Sequence, residues 1–215
     1  MPGMARPRRI SAALLTLFCL AARNAGAAGA EPMPAELARA ARAACEEGRR
    51  APDRATRLAD FQRGQSLAQH AVKLDERSAD AHFALFCNMG ELMRIDGESV
   101  SALMGLRRLM GELDRTLELD PQHTDALAAK GQLLIRLPRW VGGDAQRGEQ
   151  MLREVIVKDP NAFASRLVLA KTCDARGDRD EAISFITRAL QIARSQGRAD
   201  KIAEAQAALA ELHAQ

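Results

Sequence analysis

From residue 34 onward the apolar positions recur with helical spacing, and no stretch alternates as a strand would. The residues between them are mostly Ala, Glu, Arg and Gln, which favour helix on the exposed face. The prolines of this region, Pro32, Pro34, Pro52, Pro121, Pro138 and Pro160, all fall between apolar-periodic stretches. A proline inside a helix costs about 3 kcal/mol, so their positions mark boundaries. The pattern predicts helices over 34–48, 53–74, 78–95, 99–118, 123–137, 144–158, 162–176, 179–195 and 198–213. Asp178-Arg179-Asp180-Glu181 fits a capping box at the head of the eighth.

Three short anchors punctuate these helices: Leu74-Asp75-Glu76, Leu119-Asp120-Pro121 and Lys158-Asp159-Pro160. Each closes one amphipathic stretch and precedes an alanine-rich one, as expected of stacked helical hairpins. Asp75 and Asp120 are 45 residues apart, and Asp120 and Asp159 are 39 apart. Small and large apolar residues recur in register: Gly64, Ala68 and Ala71; Leu127, Gly131 and Leu134; Gly148, Leu152 and Val155; Ala182, Ile186 and Ala189. On these residues the stretch 34–213 resembles the tetratricopeptide repeat (TPR) family, whose period is 34. The spacings then imply inserted residues in the second and third units. Phe86 stands at a position that should be small, and the chain has neither Tyr nor a Trp at the family's usual first-helix position. The resemblance implies an all-α, right-handed solenoid of about four hairpins with a C-terminal capping helix, forming one domain over 31–215.

The insertion in the third unit reads Leu137-Pro138-Arg139-Trp140-Val141-Gly142-Gly143-Asp144. Pro138 should end one helix, the glycines permit positive φ, and Asp144 can cap the next helix. A Pro…Gly-Gly-Asp loop within a repeat is similar to one found in a group of exported bacterial repeat proteins. It also resembles the T component of tripartite transporters and the regulators of microtubule dynamics. Trp140 is the chain's lone tryptophan and so a candidate partner contact; packing back over its own hairpin is the favoured alternative.

Charge changes the picture once the N-terminus is set apart. Arg6, Arg8 and Arg9, an apolar run from Ile10 to Ala22, and the small-residue sites Ala25-Gly26-Ala27 and Ala28-Gly29-Ala30 have the form of a secretory signal peptide over 1–30, cleaved near Ala27 or Ala30. The formal charge of +3 includes four arginines in that segment, so what remains carries 31 − 4 = 27 basic and 28 acidic residues. Such a balance argues against a polyanion such as nucleic acid as partner. No later segment is apolar for the ~20 residues a membrane helix needs, so the expected product is periplasmic or secreted. It retains Cys45, Cys87 and Cys173, an odd number that leaves at least one thiol free. They read first as small buried hydrophobes, with a disulfide or metal role as the alternative.

No phosphate loop, nucleophile elbow or short-spaced metal-ligand pair is present, which points away from an enzyme, a metal site and a cofactor. Most of the mature aromatics fall on apolar faces, leaving no stacking platform for bases or sugars. The resemblance implies instead a concave face lined by the first helix of each hairpin. Carried onto this sequence, the inward positions are Asp80, Phe83 and Cys87, then Asp125, Ala128, Gln132 and Arg136, then Leu167, Lys171 and Asp174. Ala128 and Gln132 replace part of the Lys/Asn set with which some repeat domains clamp a terminal carboxylate. The function expected is an exported, non-enzymatic module that holds a protein or peptide of the cell envelope. The alternative is an accessory subunit of solute uptake, like the transporter T component.

Overall fold

The computed structural model describes residues 33–96 and 101–214; the expected signal segment lies outside them. Among the described residues are nine α-helices: α1 (Pro34–Arg50), α2 (Arg54–Leu74), α3 (Ala79–Asp96), α4 (Ser101–Leu119), α5 (Thr124–Arg136), α6 (Ala145–Lys158), α7 (Phe163–Ala175), α8 (Arg179–Ser195) and α9 (Ala199–Ala214). They pack as consecutive hairpins, α1/α2, α3/α4, α5/α6 and α7/α8, with α9 closing against α8. None is long and apolar enough to cross a membrane.

The three anchors form the same turn. The amides of Asp75, Asp120 and Asp159 donate back to the carbonyls of Ala71, Thr116 and Val155 at 2.9, 2.8 and 2.7 Å, ending α2, α4 and α6. Each aspartate side chain then accepts the amide two residues ahead, from Arg77, Gln122 and Asn161, at 2.9, 2.9 and 2.8 Å. The aspartate carboxylate thus satisfies the backbone where the chain must reverse, which explains its recurrence at this spacing. The two turns that flank α8 are built differently. After α7 the chain turns on Gly177 at φ 89°, and after α8 on Gly197 at φ 63°, a conformation that glycine adopts without steric cost.

All twelve small and large positions named from the sequence are buried. At the expected close approach, a Cβ on Gly131 would lie 2.9 Å from the Gly148 carbonyl oxygen, and a Cβ on Gly148 would lie 2.5 Å from that of Gly131. Seven residues into their helices, α1, α5 and α7 place Ala41, Gly131 and Ala170, all buried. The corresponding residue of α3 is Phe86, half-buried and stacked on Phe83 with ring centroids 5.7 Å apart. This hairpin also accounts for the longer spacing. Its helices have 18 and 19 residues against 13 and 14 in α5 and α6, about one and a half turns more each.

The capping box expected at 178–181 does not form. Asp178 makes no side-chain bond to the head of α8; its carboxylate accepts from Arg176 Nε at 2.7 Å. Glu181 pairs with Arg153 at 2.8 Å instead of reaching back to the Asp178 amide, which donates to the Cys173 carbonyl. Competing guanidinium groups draw both carboxylates away from the helix end.

Candidate functional site

The first helices of the hairpins are neighbours: α1 packs on α3, α5 on α7 and α7 on α9. In the N-terminal half this layer is knitted shut. Phe83 is only 6% exposed, with the Arg42 guanidinium 4.6 Å from its ring centroid and the His123 ring 4.7 Å away. Arg42 Nη2 donates to Asp125 at 2.9 Å, linking the first hairpin to the third, and His123 Nε2 lies 3.5 Å from Asp80. His123 Nδ1 accepts the Ala126 amide at 3.2 Å and so caps α5, which leaves the Nε2 proton facing Asp80. Asp80, Phe83 and Asp125 are therefore brought together, but Phe83 is core and presents no surface to a partner. Asp80 and Asp125 are exposed and serve as inter-hairpin links.

The C-terminal half is open. A cleft of about 730 Å³ lies between α5 and α7, with the start of α6 as its far wall. Ile135, Val168 and Ala175 give it an apolar lining; Arg136 and Lys171 are exposed at its edge. Among the described residues neither cation has a carboxylate within ion-pair distance, whereas Arg176, on the α6 side, is fully engaged. Leu167, expected in the groove, is buried with Ile186 and Leu212 in the core between α7, α8 and α9. Its helical phase turns it toward α9, one hundred degrees from Val168, which does line the cleft. Asp174 lies in a smaller depression toward α9 beside Glu211, and half-buried Gln132 is not part of the cleft lining.

The far wall was not legible in the sequence, because it is made by residues distant along the chain. Glu149 on α6 accepts from Arg153 Nη2 at 2.8 Å and from Arg176 Nη1 at 2.7 Å. Burial alone would raise the Glu149 carboxyl; the two guanidinium groups outweigh it and hold the group below the usual glutamate range. Cys173 behind this wall is pushed up to about 11, first by burial and then by the Glu181 carboxylate to which it donates, so it is an inert thiol.

A depressed folded-state value contributes stability that is present above the unfolded glutamate value and lost as pH falls through the folded one. Glu149→Gln is therefore expected to lower stability by about 1 kcal/mol at neutral pH, since solvent screens the half-exposed arginines. The deficit should begin to shrink below the unfolded glutamate value of about pH 4.5 and close as pH falls through the lower folded one. Denaturant melts at pH 7 and pH 3 check this; an equal deficit at both would remove the ionic account of the wall.

The insertion joins Arg136 to Ala145, both of which line the cleft. Pro138 is followed by one 3-10 turn, Arg139–Val141, and Gly142 takes φ 95°. Asp144 caps α6 by accepting the Arg147 amide at 3.0 Å, while its own amide donates to the Leu134 carbonyl at 2.9 Å. Trp140 does not fold back over the hairpin: within the 3-10 turn it is 81% exposed.

No family model matches the chain, and no curated protein matches it in sequence. Among solved structures it is similar to TTC0263, a thermophilic TPR protein of Thermus thermophilus, with 18% identity, 82% of this chain and 81% of that one covered, and a TM-score of 0.61. It is also similar to PilF of Pseudomonas aeruginosa, with 15% identity, 81% and 77% covered, and a TM-score of 0.51. At these identities the likeness is one of fold. With the hairpin order, the recurring aspartate turns and the small-residue contacts, it shows that this chain has a TPR-like helical-repeat fold.

Proposed function

We propose that the protein is an exported, non-enzymatic interaction module whose cleft between α5, α6 and α7 holds a protein or peptide segment of the cell envelope. The observation that carries this reading is the pair Arg136 and Lys171, two exposed cations without described carboxylate partners, set at the edge of an apolar cleft. That combination suits a segment with an apolar side chain for the floor and carboxylates for the edge. Exposed Trp140, in the loop that joins two lining residues of the cleft, supplies an aromatic anchor of the kind that dominates interface energetics. The form of residues 1–30 and the Pro…Gly-Gly-Asp loop support an envelope setting, and the resemblance of that loop supports the second reading, an accessory subunit of solute uptake.

The test is to crosslink the tagged protein in its own cells and identify what co-purifies, for wild type and for the Arg136→Glu/Lys171→Glu variant. Reversing both charges is expected to weaken the complex roughly 10- to 100-fold. Undiminished recovery would remove the cleft as the contact. A solute-binding protein or permease subunit as the partner would select the uptake reading over the scaffold.

A further inference from the structure

The N-terminal hairpins hold a pair of side chains that the cleft does not use. Cys45 on α1 and Cys87 on α3 are 42 residues apart in sequence, yet their sulfurs are 2.6 Å apart. Both are buried, in one cluster with Phe61 and with Leu92 and Ile95 packed against it. Unbonded heavy atoms settle at about 3.5–4.0 Å, and sulfur is larger than carbon, so this site is too tight for two thiols in ordinary contact. A disulfide, at about 2.05 Å, fits between the same two helices with a shift of a few tenths of an ångström per sulfur.

The surroundings distinguish the two sulfurs. Arg49 Nη2 lies 3.3 Å from Cys87 Sγ, and Arg49 is itself held by Glu91 at 2.7 Å and Glu46 at 2.9 Å. The Cys45 thiol and then the Arg49 and Arg42 cations favour the Cys87 thiolate and bring that group down against its burial, whereas the hydrogen bond to Cys87 and then burial push Cys45 up. In the packed state Cys87 is thus the more acidic thiol of the pair.

We propose that Cys45 and Cys87 form an intramolecular disulfide that staples the first hairpin of the repeat array to the second. Its formation needs a disulfide oxidant, either a protein disulfide or oxidised glutathione. The thiolate of one cysteine attacks one sulfur of the oxidant and displaces the other as a thiolate, giving a mixed disulfide. The second cysteine loses its proton to solvent and attacks the sulfur of the first, and the remaining half of the oxidant leaves as a thiolate. Two electrons pass to the oxidant, whose two thiolates take up the two protons released by the cysteines. Because both sulfurs are buried in the packed state, exchange occurs before α1 seats on α3, and the finished bond is shielded from reductant. Cys173, on α7 and bonded to Glu181, is left as the thiol of the odd count.

The full chain, reduced in denaturant and refolded with reduced and oxidised glutathione, tests this without depending on export. After alkylation, a non-reducing peptide map should show the Cys45 and Cys87 peptides joined, about 2 Da below their summed masses, with Cys19 and Cys173 alkylated. Alkylation of both Cys45 and Cys87, glutathione left on either one, or Cys173 in the linked peptide would overturn it. The oxidised protein is also expected to melt roughly 5–10 °C above the reduced one, a difference absent in Cys45→Ser/Cys87→Ser. Coincident melts of oxidised and reduced wild type would show that the bond staples nothing.

Discussion

Gly143→Ala is expected to destabilise the protein by at least about 3 kcal/mol, a fall in Tm of roughly 6–12 °C for a chain of this size. A Cβ at this position would lie 1.7 Å from the Leu137 carbonyl oxygen and 2.5 Å from its carbon, with the Pro138 carbon at 3.0 Å. All three are backbone atoms, so no side chain can swing aside. To admit the methyl the loop must open, which gives up the bond from Gly143 N to Pro138 O and the bond from Asp144 N to Leu134 O. The second of these fixes the head of α6 against the end of α5, and Ala145 and Gln146 at that head line the cleft. Partner binding should therefore weaken along with stability. Gly142→Ala is the control: at φ 95° it meets backbone strain but nothing within 4 Å, so it should cost about 1–2 kcal/mol. Thermal melts of the two variants decide the matter. A Gly143→Ala melt no lower than that of Gly142→Ala would mean that the loop is not closed in this way.

Phe61→Ala is expected to cost about 3–5 kcal/mol, the range for removing a fully buried aromatic ring. Phe61 on α2 is 1% exposed. Its ring lies over the backbone of Gly48 on α1, with Cε1 2.5 Å from where a Cβ would stand. The same ring packs with Cys45 and Cys87, so removing it empties the junction of α1, α2 and α3. In a repeat array each hairpin is stabilised by its neighbour, and damage at one end frays from that end. Hydrogen exchange should accordingly quicken across α1 and α2 while α7 and α8 keep their protection. Uniform loss of protection along the chain would mean that the array unfolds as one unit and that the stacking is not pairwise.

The helices were legible in the sequence because proline, aspartate and small residues act locally. Observed boundaries differ from the expected ones by no more than two residues in every described case, from α1 ending at Arg50 to α9 ending at Ala214. The aspartate turns and the Gly131–Gly148 contact follow from residue type and spacing alone. What the spacing could not carry is which side of a first helix stays open once its neighbours arrive. Phe83 and Leu167 occupy inward positions of the repeat, but Arg42 covers one and α9 the other. The cleft wall of Glu149 and Arg176 joins residues 27 apart, and the cysteine pair joins residues 42 apart. Such pairs leave no periodic trace in one sequence. Asp178 shows the same limit at short range: the motif for a cap is present, and a nearby guanidinium takes the carboxylate.

The central claim is that the cleft at α5, α6 and α7 is where a partner is held, and a photo-crosslinking amino acid placed one position at a time tests it most directly. Position 171 lines the cleft, and position 140 is exposed in the loop that joins its lining residues Arg136 and Ala145. Position 157 on α6 is a control, since Val157 is 80% exposed and outside the cleft. In living cells, positions 171 and 140 should give the same discrete protein adduct, lost on adding Arg136→Glu, while position 157 gives none. An adduct at position 157 with none at position 171 would place the interface on the other face and contradict the account.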